Sequence, residues 1–111
     1  MKIFKNKVIS AAALALLAAA FGAVTATAST NHTISQTGKK FSEKKMSIAA
    51  GDSITFVNDD KVKHNIVIKK MDVSTGIQQP GEKVDVAFDE NGKFKVRCGI
   101  HPKMKITVVV N

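Results

Sequence analysis

A two-residue alternation of apolar and polar side chains, repeated in short runs, narrows the possible folds more than any other feature of this chain. That period puts successive side chains on opposite faces of a strand. Ile54 and Phe56 alternate with Ser53, Thr55 and Asn58. Val84, Val86 and Phe88 alternate with Lys83, Asp85 and Ala87. Phe94 and Val96 alternate with Lys93, Lys95 and Arg97, and Ile106, Val108 and Val110 with Lys105, Thr107 and Val109. Two further runs, around residues 33–36 and 45–48, bring the expected set to roughly six to eight strands. Turn chemistry separates the runs: Ala50-Gly51-Asp52, Gln79-Pro80-Gly81-Glu82 and Asp89-Glu90-Asn91-Gly92. The Asn-Gly pair supplies the positive backbone angles of a tight hairpin, expected to join the Val84 and Phe94 runs. Residues 69–79 carry the least pattern and are expected to form a long surface connection. No 3.6-residue period follows residue 28. The expected fold is all-β, an antiparallel sandwich or barrel.

The first 28 residues belong to a different class. Lys2, Lys5 and Lys7 precede an uncharged, alanine- and leucine-rich stretch from Val8 to Val24, followed by Ala26-Thr27-Ala28. This is the pattern of a secretory signal peptide cut after Ala28. The apolar stretch is shorter than the roughly 20 residues of a spanning helix, so no stable membrane insertion is expected after cleavage. A lysine-rich start of this kind suggests a bacterial periplasmic destination. Residues 29–111 are then one domain, expected to be monomeric and large enough for a small core. Removing the three leader lysines leaves 14 Lys and Arg against 9 Asp and Glu, a net charge of +5. That excess suits partners with acidic surfaces. Export and the lack of a basic-aromatic motif argue against nucleic acid.

One cysteine, Cys98, is present. It cannot form an internal disulfide, and a free thiol in an oxidising compartment has to be buried or ligated. Its neighbours point to ligation. Cys98-Gly99-Ile100-His101-Pro102-Lys103-Met104 sets a thiolate, an imidazole and a thioether in one loop between two expected strands. Cys98 shares inward parity with Phe94 and Val96, and His64 shares it with Ile66 and Ile68, so the two side chains can meet at one mouth of the core. Two imidazoles, a thiolate and a weak axial thioether suit copper, whereas structural zinc more often takes several Cys or His without Met. The candidate metal ligands are therefore His64, Cys98, His101 and Met104.

With these residues in view, the chain resembles the cupredoxins, the type 1 blue-copper family, and among them the short-loop amicyanin- and plastocyanin-like members. The resemblance rests on His64-Asn65, the C-x-x-H-x-x-M run from Cys98 to Met104, Gly92-x-Phe94 and the valine-rich final strand. It implies a Greek-key sandwich around a single Cu(I)/Cu(II) ion. His64, Cys98 and His101 would be the strong ligands and Met104 the axial one. Asn65 would tie the two ligand loops together and help hold the sulfur, and Pro102 would stiffen the loop. Residues 29–111 depart from many members in having no Tyr or Trp, in Val96 and in Arg97 beside the ligand.

The function implied is single-electron transport through the edge of His101. Its partner would be a redox protein: a dehydrogenase, a reductase or a cytochrome c. The alternative is a copper-binding or copper-tolerance protein that sequesters or delivers the metal; no Met-rich or His-rich tract supports storage. The chain is not expected to be an enzyme, because Cys98 and His101 share one loop and no third orienting acid is identifiable from sequence. Haem attachment lacks its C-x-x-C-H. Lys61, Lys63, Arg97, Lys103 and Lys105 flank the site and could form a positive collar, with Asp59 and Asp60 partly cancelling it. His32 is expected to be exposed, Met46 to share core parity with Ile48, and Met71 to lie in the loose connection.

Overall fold

A computed structural model describes residues 28–111; the leader expected over residues 1–28 lies, but for its last residue, outside them. The described residues form nine strands: β1 (Asn31–Thr37), β2 (Lys40–Phe41), β3 (Lys45–Ile48), β4 (Asp52–Asn58), β5 (Val67–Ile68), β6 (Val73–Ser74), β7 (Lys83–Phe88), β8 (Gly92–Arg97) and β9 (Lys105–Val110). They make two sheets, ordered β2-β1-β4-β7 and β3-β9-β8-β5-β6. The result is the all-β sandwich that the alternation implies, with the Greek-key connections that the resemblance implies. The six longer runs appear as strands β1, β3, β4, β7, β8 and β9. The two-residue strands β2, β5 and β6 are too short to show a period.

Two pairings are parallel, β1 with β4 and β3 with β9, so the sandwich is antiparallel only in the main. Each arises because the chain leaves a sheet and returns to it, which a run of hairpins cannot do. The same crossing changes the role of Asn91-Gly92. β7 and β8 lie in different sheets, so the turn at residues 89–91 is an arch over the core and not a hairpin. Gly92 supplies a positive φ of 147° there. Alternation identifies the two strands but is silent about which sheet each joins. The first true hairpin joins β1 to β2 through Gly38 and Lys39, both with φ near +60°.

The core is the shared inner face. Ile34, Ile54, Phe56, Phe88, Val96 and Val108 are fully buried. Phe88 of one sheet meets Phe94 of the other edge to face, 6.0 Å between ring centres, and this pair closes the sandwich under the β7–β8 arch. Residues 69–79 are more ordered than expected: they contain a 3₁₀ turn (Lys69–Met71) and β6, and Met71 packs on the core. Met46 also packs against the core, as its parity implies.

Strand β4 places polar side chains inward at both ends, Asp52 and Asn58, with Ile54 and Phe56 between them. By polarity Asn58 belongs with the outward Ser53 and Thr55, but it is fully buried. Its amide serves the loops above it: Nδ2 donates to the carbonyls of Val62 and Gln78, and Oδ1 accepts from Asp60 N–H. At the opposite end Asp52 accepts from the N–H groups of Thr30 and Ala49 and bonds His32, so His32 is held and not free. One strand thus anchors the loops at both ends of the sandwich.

Candidate metal centre

Two pieces of chain carry the site. The first, from Asn58 to Ile66, crosses the mouth of the core without regular structure apart from one bridge. There His64 N–H donates to Gln78 O (3.1 Å) and Gln78 N–H to His64 O (2.6 Å), which turns the imidazole inward. The Gln78 side chain lies behind it, donating to Phe56 O and accepting from Gln36 Nε2. The second piece is the loop between β8 and β9. It is closed by its own backbone: Cys98 N–H donates to Met104 O, and Met104 N–H to His101 O.

These pieces converge as parity implies. His64 and Cys98 are fully buried, Met104 is buried on the same loop, and His101 is half-buried. Cys98 Sγ lies 3.6 Å from His64 Nδ1 and 3.7 Å from His101 Nδ1, and the two Nδ1 atoms are 3.2 Å apart. Asn65 joins the pieces. Its Oδ1 accepts from Gly99 N–H at 2.6 Å and lies 3.6 Å from the sulfur. Gly99 is needed for this approach, because a Cβ there would stand 3.0 and 3.1 Å from the Asn65 amide atoms.

Sequence reasoning missed Asp60. Its carboxylate turns toward the core and accepts from His64 Nε2 at 2.9 Å. The same carboxylate accepts from the N–H groups of Lys39, at the tip of the β1–β2 hairpin, and Lys61. Lys39 N–H, then His64, then Lys61 N–H hold the carboxyl far below the usual aspartate range. With Nε2 as the donor, His64 presents a bare Nδ1 lone pair to Cys98 and His101. The only signal in the sequence is an Asp four residues before the His. That spacing has meaning on a helix, and this segment is not one. Asp59 stays exposed and accepts from the Ser35 hydroxyl, so of the two acids expected to offset the collar only Asp60 turns to His64.

The donor set can be tested against a metal. The point equidistant from the three atoms lies roughly 2 Å from each, the length of a metal bond to imidazole or slightly short of one to thiolate. Two imidazole nitrogens and a sulfur aimed at one point of a dry core are costly unless a proton or a cation sits among them. Among the described residues this is the one His/Cys/Asp/Glu group with metal-site geometry, and no carboxylate reaches it. The residues fit a soft or borderline ion. Met104 closes the same loop through its backbone and is buried.

A two-sheet Greek-key sandwich with an N₂S cluster at one mouth defines a cupredoxin-class protein. The chain belongs to that family: the model of the cupredoxin-like domain matches residues 8–110. Among curated relatives it is 37% identical over 87 residues to plastocyanin A/B of Petroselinum crispum, covering 67% of this chain and 90% of that protein. It is 36% identical over 66 residues to the methylamine utilization protein MauL of Methylophilus methylotrophus, covering 55% of this chain but only 38% of that protein. Among solved structures, an amicyanin variant in its Cu(I) form superposes with a TM-score of 0.69 at 20% identity, over 80% of this chain and 88% of that one, a likeness of fold.

Proposed function

We propose that this chain is an exported carrier of single electrons that holds one copper ion on His64, Cys98 and His101, with Met104 as the weak axial donor. The observation that carries the reading is the trio of Nδ1, Nδ1 and Sγ atoms, 3.2–3.7 Å apart, brought from two separate pieces of chain to one buried point. When bound, copper supplies the one-electron couple between Cu(I) and Cu(II), for which soft sulfur and borderline imidazole donors are both suited. The chain's own residues do the rest. Asp60 fixes the His64 ring, Asn65 ties the Cys98 loop to the His64 segment, and the closed loop keeps its donors in place, so little has to move when charge changes. The plastocyanin and Cu(I) amicyanin likenesses support membership of the short-loop group.

The half-buried His101 lies in a shallow groove with Ile100, Pro102, Lys103, Met104 and Lys39. The large apolar residues most exposed, Val62, Ile77 and Ile100, sit on the loops that carry His64, Gln78 and His101. Exposed apolar residues on the loops of the site, with one imidazole edge in a groove beside Ile100 and Pro102, suit brief contact with a redox protein such as a dehydrogenase, a reductase or a cytochrome c. No helix among the described residues is long and apolar enough to cross a membrane. The leader over residues 1–28 supports delivery to the periplasm, with residues 29–111 as a monomeric cupredoxin domain.

The protein is not an enzyme. Cys98, His64 and Asp60 do form a thiol–imidazole–carboxylate chain, the third group that sequence alone did not reveal. The sulfur, however, is fully buried and has a second imidazole 3.7 Å away, which leaves no approach for a substrate carbonyl. The test is the visible spectrum of residues 29–111 with Cu(II), beside Cys98→Ser. An intense thiolate-to-copper band in the parent alone is expected, with reversible one-electron cycling. A copper-loaded parent with no such band would remove the proposal. A band without electron exchange, together with altered copper survival on deletion, would favour sequestration or delivery of the metal.

A further inference from the structure

Charge is segregated between the two faces of the sandwich. The outer face of the β3-β9-β8 sheet carries Lys45, Lys93, Lys95, Arg97 and Lys105 and no acid. The outer face of the other sheet carries Lys40, Lys83 and Asp85 among hydroxyl and amide residues. Register sharpens the contrast. Arg97 lies directly opposite Lys105, and Lys45 and Lys95 both lie opposite Thr107. Like charges set directly across strands destabilise a sheet, so the fold gains nothing from this arrangement. Nor are the cations neutralised within the chain: among the described residues the ion pairs are those of His32 and His64, and no Lys or Arg takes part.

We infer that the outer face of β3, β9 and β8 is a docking surface for an acidic protein, and that it extends the groove of Ile100, His101 and Pro102 into a larger two-part interface. The inference rests on the electron-carrier reading for its partner class, a redox protein with a carboxylate-rich face. Arg97 and Lys105 adjoin Cys98 and Met104, so the basic face reaches the ligand loop, with Glu43 at its margin beside Lys44, Lys103 and Lys105. Lys44, Lys95, Lys103 and Lys105 line a shallow groove on this side with Ile106 and Thr107. The face displays none of the chain's exposed large apolar residues, which sit on the loops instead. That favours an acidic protein over insertion into a lipid surface. A field of this sign raises association rates by about ten-fold or more and fades with added salt.

The experiment uses the protein loaded with zinc in place of copper, so docking is read apart from electron transfer. The probe is an acidic soluble cytochrome c, followed by amide NMR shifts. Shifts at Lys45, Lys93, Lys95, Arg97 and Lys105 and in the 99–103 loop are expected, with binding at least ten-fold weaker when salt rises from about 20 to about 200 mM. Lys45→Glu/Lys95→Glu is expected to weaken binding at least about ten-fold, and Lys83→Glu on the opposite face less than two-fold. If the reversal variant misfolds, Lys45→Gln/Lys95→Gln carries the same comparison with a smaller loss. Equal losses from the two faces, shifts confined elsewhere, no salt dependence, or tighter binding to phosphatidylglycerol vesicles than to the cytochrome would each overturn the inference. A colourless copper form would instead sink the electron-carrier reading and leave these measurements standing.

Discussion

Cys98 shows how much one residue can reveal before any coordinates exist. Its solitude, its inward parity and its spacing to His101 and Met104 single out a candidate metal centre and point to His64 as a neighbour. The three donors His64, Cys98 and His101 then meet as parity requires. Asp60 is the opposite case. Its role depends on where an irregular segment turns, and no local pattern encodes that. We predict that Asp60→Asn frees the His64 ring. In the metal-free protein, ¹⁵N NMR should show the His64 tautomer moving from Nε2–H alone to a mixture. Affinity for zinc should fall by about 10- to 100-fold, the usual cost of removing a carboxylate partner from a ligand imidazole. An unchanged tautomer and affinity would show that the bridge to Gln78 orients His64 unaided.

At the level of elements, strands were easy to read and their company was not. The period-two runs mark β4, β7, β8 and β9, because each buries one face and solvates the other. The β7–β8 turn looks like a hairpin because Asn-Gly fits a hairpin, but the same reversal can step from sheet to sheet. The β1–β2 hairpin escaped notice because Gly38-Lys39 lies among polar residues with no apolar run after it. Asn58 was misplaced because parity was overruled by polarity, when a buried amide was needed to hold the loops. The loop between β8 and β9 gives an element-scale prediction. Gly99→Ala puts a Cβ against an Asn65 amide that the Gly99 N–H itself holds in place. The amide cannot retreat without losing that bond. A cost of about 1–3 kcal/mol is expected in urea unfolding of the metal-free protein, with weaker metal binding. No change in the urea midpoint would mean that Asn65 yields freely.

For the molecule as a whole, stability depends on the two sheets staying shut. Phe88→Ala removes the ring that bridges them and should cost about 3–5 kcal/mol, measured by denaturant unfolding. The pH dependence has a definite sign. The His32 bond first, then the Thr30 and Ala49 N–H groups, lower the Asp52 carboxyl from its ordinary value of 3.8. A lowered folded value means that the stabilisation is full above about pH 3.8 and is lost as pH falls from there through the folded value. Urea midpoints should therefore drop in that acid window, and the drop should shrink in Asp52→Asn. A midpoint just as steep in that variant would assign the acid loss to other carboxylates. Global topology, including the two parallel pairings, was the least legible level, since alternation says which face of a strand is wet and nothing about its neighbours.

The complete burial of the lone thiol has a consequence for the order of events in the protein's life. A chain that finishes folding before it meets its ion keeps the sulfur away from oxidants and from the thiols of other chains. Asp60 and the closed loop meanwhile hold the surrounding donors where they will be needed. The half-buried His101 is then the one of these donors at the threshold, where an incoming ion would be met first.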